Sequence, residues 1–211
     1  TSSLGNAVGI RLTGLANSNT VGGTSEGSRN IISGNTGNGV EIRNAILNVV
    51  AGNLVTNNQG LGILIDSAAN GNSIGGASAA ARNLINLNAL GGIKISGAGT
   101  SFNEILGNYI GLSEDGTSEA ANGGHAVVID DGASENRIGS TTGTGNRIVG
   151  LPGSDGVQIR DSSLNLVFEN WIGLNSPGTE TLGYVSNGIS ILNSSSITID
   201  RNVVVQYSSH G

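Results

Sequence analysis

Five charged residues occupy comparable places in the sequence, within or just after short triplets of apolar residues. Carboxylates and basic side chains that converge on one surface are the groups that acid–base catalysis requires. Whether they converge depends on the elements that carry them, because the residues are widely spaced along the chain. The candidate catalytic residues are Lys94, Asp130, Asp131, Arg160 and Asp161.

The apolar triplets that carry these residues return seven times, each after a small residue. Within a triplet an apolar, a variable and an apolar residue alternate, which is typical of a strand with one buried face. Successive copies lie 23 to 34 residues apart, a period that indicates a solenoid. The triplets begin at Ile10, Val40, Ile63, Ile93, Val127, Val157 and Ile189.

Asparagine marks two further strands in each repeat, so that three strands per turn predict a triangular coil. Coils stacked one strand spacing apart, about 4.8 Å, would let each asparagine series form a ladder of amide hydrogen bonds. Asn and Gly also tolerate the left-handed backbone of a sharp corner. We therefore expect both residue types to be structural, and we assign Asn122 to a loop. The first series is Asn19, Asn48, Asn72, Asn103, Asn136 and Asn165, with Ile197 in the seventh place. The second series is Asn30, Asn53, Asn83, Asn108, Asn146, Asn170 and Asn202.

Loops of two kinds alternate along the repeats. The first, third and fifth coils have a loop of small residues between the second and third strands. The fourth and sixth coils instead have a longer excursion after the third strand, over residues 107–117 and 169–179. The repeating unit is therefore predicted to be a pair of coils.

Two phrases, Asn19 to Asn35 and Gly107 to Thr117, resemble the repeats of right-handed parallel β-helix modules in large secreted or cell-surface bacterial proteins. The resemblance covers essentially the whole chain. It implies an all-β, right-handed parallel β-helix of about seven coils that forms a single domain over residues 1–211. It also implies a role as a stalk or adhesin shaft, while related β-helices include polysaccharide lyases and hydrolases.

The resemblance to polysaccharide lyases implies an alternative, enzymatic use of the first strand's outer face. In those enzymes carboxylates hold calcium, and an Arg or Lys abstracts a proton next to a uronate carboxyl. Lys94 and Arg160 lie two coils apart with carboxylates beside them. The family motifs of pectate lyases, polygalacturonases and alginate epimerases are absent, however. Asp130 and Asp131 also suit a solvated corner, so we favour a non-catalytic module.

The third strand carries an unusual outward row, in which Tyr109, Arg147 and Trp171 are the candidate ligand-binding residues. Tyr109 and Trp171 lie two coils apart, about 10 Å, so the rings could stack on alternate sugars of a polysaccharide or cell-surface glycan. Cover by the excursions that leave this same strand, or side-by-side packing against another copy or domain, would also explain the row. Its members are Ile31, Leu54, Leu84, Tyr109, Arg147, Trp171 and Val203.

Metal ligands are sparse in the sequence. His125 and His210 have no cysteine or second histidine at ligand spacing, which argues against a transition-metal site. Glu114 and Asp115 could offer oxygens to Ca²⁺, although they lack the ligand spacing of known calcium loops. No other cofactor is expected.

Composition favours an extracellular or cell-surface protein. The chain has no cysteine or methionine and a net charge of −6, so oxidation would cost it nothing and nucleic acid is an unsuitable partner. No apolar run is long enough to span a membrane. Because no capping helix is recognisable, we expect a fragment of a longer solenoid that stacks end to end on neighbouring coils or copies.

Overall fold

A computed structural model describes residues 5–25, 27–183 and 185–205. These residues form a parallel β-helix of 21 short strands in three seven-stranded sheets, with one turn of 3-10 helix at Ala79–Ala81. The predicted all-β solenoid, with three strands per coil, is confirmed. None of the helical structure in the described residues is long and apolar enough to cross a membrane.

Each sheet collects one strand from every coil. The first sheet contains β1 (Ile10–Thr13), β4 (Val40–Arg43), β7 (Leu61–Asp66), β10 (Gly91–Ser96), β13 (Val127–Asp130), β16 (Asp155–Arg160) and β19 (Asn187–Leu192). The second contains β2 (Thr20–Gly22), β5 (Val49–Ala51), β8 (Ser73–Gly75), β11 (Glu104–Leu106), β14 (Arg137–Gly139), β17 (Leu166–Phe168) and β20 (Thr198–Asp200). The third contains β3 (Ile31–Ser33), β6 (Leu54–Thr56), β9 (Leu84–Asn86), β12 (Tyr109–Ile110), β15 (Arg147–Ile148), β18 (Trp171–Ile172) and β21 (Val203–Val204).

The parallel register places like residues above one another inside the tube. Ile63 pairs with Val40 on one side and with Ile93 on the other, and all three side chains are buried. Because a β-branched side chain packs well on a pleated surface, the inward positions form continuous aliphatic columns. In the last coil the corresponding Ile199 and Val204 are 48% and 49% exposed.

Both predicted asparagine ladders are present. In the second ladder, Asn83 donates from Nδ2 to Oδ1 of Asn108 at 2.9 Å and to the carbonyl of Val50 at 2.8 Å. Its own Oδ1 accepts from the backbone N–H and the Nδ2 of Asn53 at 3.0 and 3.1 Å. Each amide therefore satisfies buried groups in the coils on both sides, as buried polar atoms require.

A third ladder, not predicted from the sequence, follows the third sheet. Its amides join Asn6, Asn35, Asn58, Asn88 and Asn122 through Nδ2 to Oδ1 bonds of 2.7 to 3.2 Å. Asn122 lies outside the strands, as predicted, but it is also a ladder member: its side chain is buried and donates to the carbonyl of Ile85. The longer excursion of the fourth coil returns to the tube at this residue.

The left-handed corners lie one residue earlier than expected. The residue before each first-ladder position has positive φ, as at Leu47 (55°) and Phe102 (56°), whereas the ladder asparagines do not. A second left-handed position directly follows the first-sheet strands and includes Asp131 (56°) and Asp161 (49°). The asparagines are therefore required for their amides rather than for the backbone conformation.

Candidate functional site

Three of the candidate catalytic residues meet on the outer face of the first sheet. The Nζ of Lys94 lies 2.8 Å from Oδ2 of Asp130, and Nη2 of Arg160 donates to the same oxygen at 2.9 Å. Strands β10, β13 and β16 are neighbours in the sheet, so the three side chains come from consecutive coils. The predicted convergence of these residues is thus real, but it takes the form of an ion-pair centre on Oδ2 of Asp130, whose buried Oδ1 has no hydrogen-bond partner.

Asp130 is the middle member of this ion-pair centre, and its side chain is fully shielded from solvent. Burial acts to raise the pKa of Asp130, but hydrogen bonds from Lys94 and Arg160 outweigh it and hold that pKa below its ordinary value. The same carboxylate raises the pKa of Arg160. Asp130 is therefore ionised at neutral pH, and its carboxyl holds no proton to give to a leaving group.

The remaining two candidates, Asp131 and Asp161, are corner residues. Both have positive φ and exposed side chains. Asp131 accepts a hydrogen bond from Ser96, and Asp161 accepts one from Asn193 in the next coil. Their contacts fit the solvated-corner explanation of these aspartates.

Neighbouring charges on the first sheet are paired in the same way. Arg11 binds Glu41 at 2.7 Å and Arg43 binds Asp66 at 2.8 Å, each between adjacent strands. The outer face of the first sheet is therefore lined by cross-strand ion pairs. Such pairs hold cations and carboxylates away from a substrate.

A histidine next to this centre belongs to a network that sequence analysis missed. The backbone N–H of Asp155 donates to Nδ1 of His125 at 2.8 Å, so the neutral ring carries its proton on Nε2. The carboxylate of Asp155 accepts from Ser190 at 2.6 Å and from Asn187 at 2.8 Å. Burial acts to raise the pKa of Asp155, and these hydrogen bonds lower it below its ordinary value.

His125 and the ion-pair centre share a shallow cavity of about 210 Å³, lined also by Leu61, Leu90 and Gln158. Asp155 lies two residues before the triplet that begins at Val157, a place where no other coil has an acid. This departure from the repeat was the signal in the sequence that could have identified the network. His210 lies outside the described residues.

The two aromatic members of the outward row on the third sheet, Tyr109 and Trp171, are covered by the excursions of the fourth and sixth coils. Tyr109 is 6% exposed, and its hydroxyl forms a hydrogen bond with Ser176 of the sixth coil's excursion. Gly178 of that excursion packs so closely on Trp171 that an added Cβ would lie 2.3 Å from the ring. These contacts support loop cover as the explanation for Tyr109 and Trp171, whereas Ile31 and Val203 of the same row are 73% and 38% exposed.

The two carboxylates considered for calcium are directed to different partners. Glu114 pairs with Arg29, while Asp115 accepts from the hydroxyl of Ser113 and the backbone N–H of Thr117. The Ser113 hydrogen bond, followed by those from Thr117, lowers the pKa of Asp115 to about 2. Within the described residues, no three Asp, Glu, His or Cys side chains are grouped as a metal site would require.

No protein-family model, no curated protein and no solved structure matches this chain. The functional assignment therefore rests on the geometry of the described residues.

Proposed function

We propose that this chain is a non-catalytic structural and adhesive β-helix module of a secreted or cell-surface bacterial protein, related to the repeat modules that its phrases resemble. The observation that carries the proposal is the ion-pair centre of Lys94, Asp130 and Arg160. The basic side chains best placed to act on a substrate are neutralised by a buried carboxylate. Three ladders of buried amides provide the stiffness that a spacer requires.

The enzymatic alternative predicts a different behaviour from the structural one. With polygalacturonate or alginate, with or without added Ca²⁺, we expect the purified protein to release no unsaturated uronate, measured by ultraviolet absorbance, and no new reducing ends. Both cations of the ion-pair centre are engaged with Asp130, so neither is free to abstract a proton. Products that disappear in the Lys94→Ala or Arg160→Ala variant, with folding checked by circular dichroism, would establish the enzyme instead.

We further propose that the tube extends by end-to-end stacking on other copies of the chain. Supporting this, the inward residues Ile199 and Val204 of the last coil are about half exposed, whereas their counterparts Val167 and Ile172 in the preceding coil are buried. An exposed end of parallel strands is a template for further strand pairing.

Light scattering over a range of concentrations tests the stacking of copies. We expect the average mass to rise with concentration, and Ile199→Lys with Val204→Lys to abolish the rise by placing charges on the open end. Leu90→Lys is the matched control, because Leu90 is exposed on the side of the tube. Equal association of the end variant and the control would exclude stacking through this end.

A further inference from the structure

The loops of alternate coils leave gaps between them. Loops of the first, third and fifth coils project between the second and third sheets, whereas the second and fourth coils turn the same corner without a loop. The gap between the loops around residues 76–81 and 140–145 contains a cavity of about 170 Å³, which we call the arginine notch. Its lining includes Arg82, Gly107, Tyr109, Thr144, Arg147 and Ser176.

The two arginines of the notch are unlike the other cations. The remaining seven of the chain's nine Lys and Arg side chains each pair with an Asp or Glu. Arg82 and Arg147 have no acidic partner among the described residues. In a protein of net charge −6, two unpaired cations in one cavity are unexpected unless they serve a ligand.

Aromatic rings hold both guanidinium groups in place. The Cζ of Arg82 lies 3.9 Å from the centroid of the Tyr109 ring, and the Cζ of Arg147 lies 3.6 Å from that of Trp171. Stacking occupies the face of a guanidinium and leaves its N–H edges for a planar or tetrahedral acceptor. Burial, together with the charge of Arg82, lowers the pKa of Arg147 despite the opposing influence of Tyr109.

Donors around the notch also lack acceptors. Among the described residues, six buried side-chain polar atoms have no hydrogen-bond partner, and three of them belong to residues that line the notch: Nε of Arg82, Nε of Arg147 and Oγ1 of Thr144. Buried polar groups are normally paired, and the partner missing from a cluster of N–H and O–H donors is an acceptor. One carboxylate oxygen of Glu169 accepts from the backbone N–H of Gly143, a lining residue, and the other pairs with Arg201.

We propose that the arginine notch binds an oxyanion, a sulfate or phosphate group held between Arg82 and Arg147. Two guanidinium groups supply the charge and directed donors that such a group requires, and Thr144 supplies a further hydroxyl. The oxyanion can be a free ion or a substituent of a glycan. In the second case it deepens the adhesive role proposed above and rests on it.

The neighbouring gap between loops contains an arginine that is already paired with a carboxylate. It is a larger cavity of about 480 Å³, lined by Gly23, Thr24, Ser25 and Ser28 on one side and by Ala79 and Ala80 on the other, and Arg82 borders it as well. There Arg29 already pairs with Glu114. The proposal is therefore confined to the arginine notch.

The test is titration of the folded chain with sodium sulfate and sodium phosphate at constant ionic strength, with chloride as the reference anion. Side-chain nitrogen resonances of labelled arginine report the site directly. We expect saturable shifts of Arg82 and Arg147 and none of the seven paired cations. Calorimetry should show binding that is weakened about tenfold or more by Arg147→Gln or Arg82→Gln. Arg43→Gln, which removes an arginine paired with Asp66, should leave binding unchanged.

Dextran sulfate and uncharged dextran distinguish the two sources of the oxyanion. Binding of dextran sulfate that Arg147→Gln abolishes assigns the notch to a glycan substituent, whereas binding of the free ions alone assigns it to small anions. Absence of saturable binding to every anion, or binding that both glutamine variants retain, overturns the proposal. Neither result affects the depolymerisation assay, so the proposed structural role would remain even if the arginine notch bound no anion.

Discussion

Replacing Lys94 and Arg160 together by methionine is expected to lower the free energy of unfolding by about 3–5 kcal/mol at neutral pH, the usual cost of leaving a buried charge unpaired. The carboxylate of Asp130 is shielded from water, whereas the two cations are 28% and 45% exposed. The loss therefore comes from the stranded carboxylate rather than from packing. Chemical denaturation of the variant and the unmodified protein measures it.

The pH dependence of this variant should have the opposite sign to that of the unmodified protein. With both cations present the pKa of folded Asp130 is below its unfolded value, so the stabilisation exists above the unfolded pKa and is lost as pH falls through the folded one. Without them burial should raise the folded pKa, so stability should fall as pH rises. The difference in free energy of unfolding between the variant and the unmodified protein should therefore become smaller at acidic pH.

Two controls isolate the stranded charge. Arg43→Met removes a similar ion pair whose Asp66 remains partly exposed, and we expect a change of only about 0–1 kcal/mol. Adding Asp130→Leu to the methionine pair should recover most of the stability. A methionine pair as stable as Arg43→Met, with no inverted pH dependence, would contradict the ion-pair interpretation.

Asn83→Leu is expected to lower the free energy of unfolding by about 3 kcal/mol or more. It strands the donors of Asn53 together with the acceptors on Asn108 and Val50, and each buried group left unpaired costs about 1–3 kcal/mol. Asn122→Leu should also destabilise strongly, because Asn122 accepts from Asn88 at 3.0 Å in the third ladder. Thermal and denaturant unfolding measure both losses.

The matched control for the ladder variants is Asn17→Leu. The side chain of Asn17 is exposed and accepts only from Ser18, so its replacement should change stability by about 0.5 kcal/mol or less. If Asn122→Leu proved as harmless as Asn17→Leu, the third ladder would contribute nothing to stability.

Much of the fold could be predicted because a solenoid repeats its local physics. The triplet beginning at Ile63 and the asparagine at Asn83 recur with a spacing that the stacking of coils demands, and both lie where expected. The ladder membership of Asn122 was missed because the excursion before it breaks the five-residue interval that separates Asn83 from Asn88. A pattern based on constant spacing cannot follow a residue beyond an insertion.

The sequence predicted which residues form the candidate site but not how these residues interact. The sequence showed that Lys94, Asp130 and Arg160 share one face, yet the choice between a free base and a closed ion pair depends on distances that only the folded chain provides. Tyr109 is covered by a loop from two coils away, a contact that no local pattern records. That Arg82 and Arg147 have no acidic partner among the described residues likewise emerges only when the other seven cations are matched with their acids.

The ladders are also directional. In the second ladder each bond between two side-chain amides runs from Nδ2 of one asparagine to Oδ1 of the asparagine in the coil that follows. This series begins with Asn30 and Asn53 and ends at Asn202. The amide dipoles therefore add along the tube, so that one end presents carbonyl oxygens and the other presents N–H groups. A further coil continues this bonding if it arrives with the same polarity, whereas an inverted one would set acceptor against acceptor or donor against donor. Any assembly built by extending these ladders would be a polar filament with two chemically different tips.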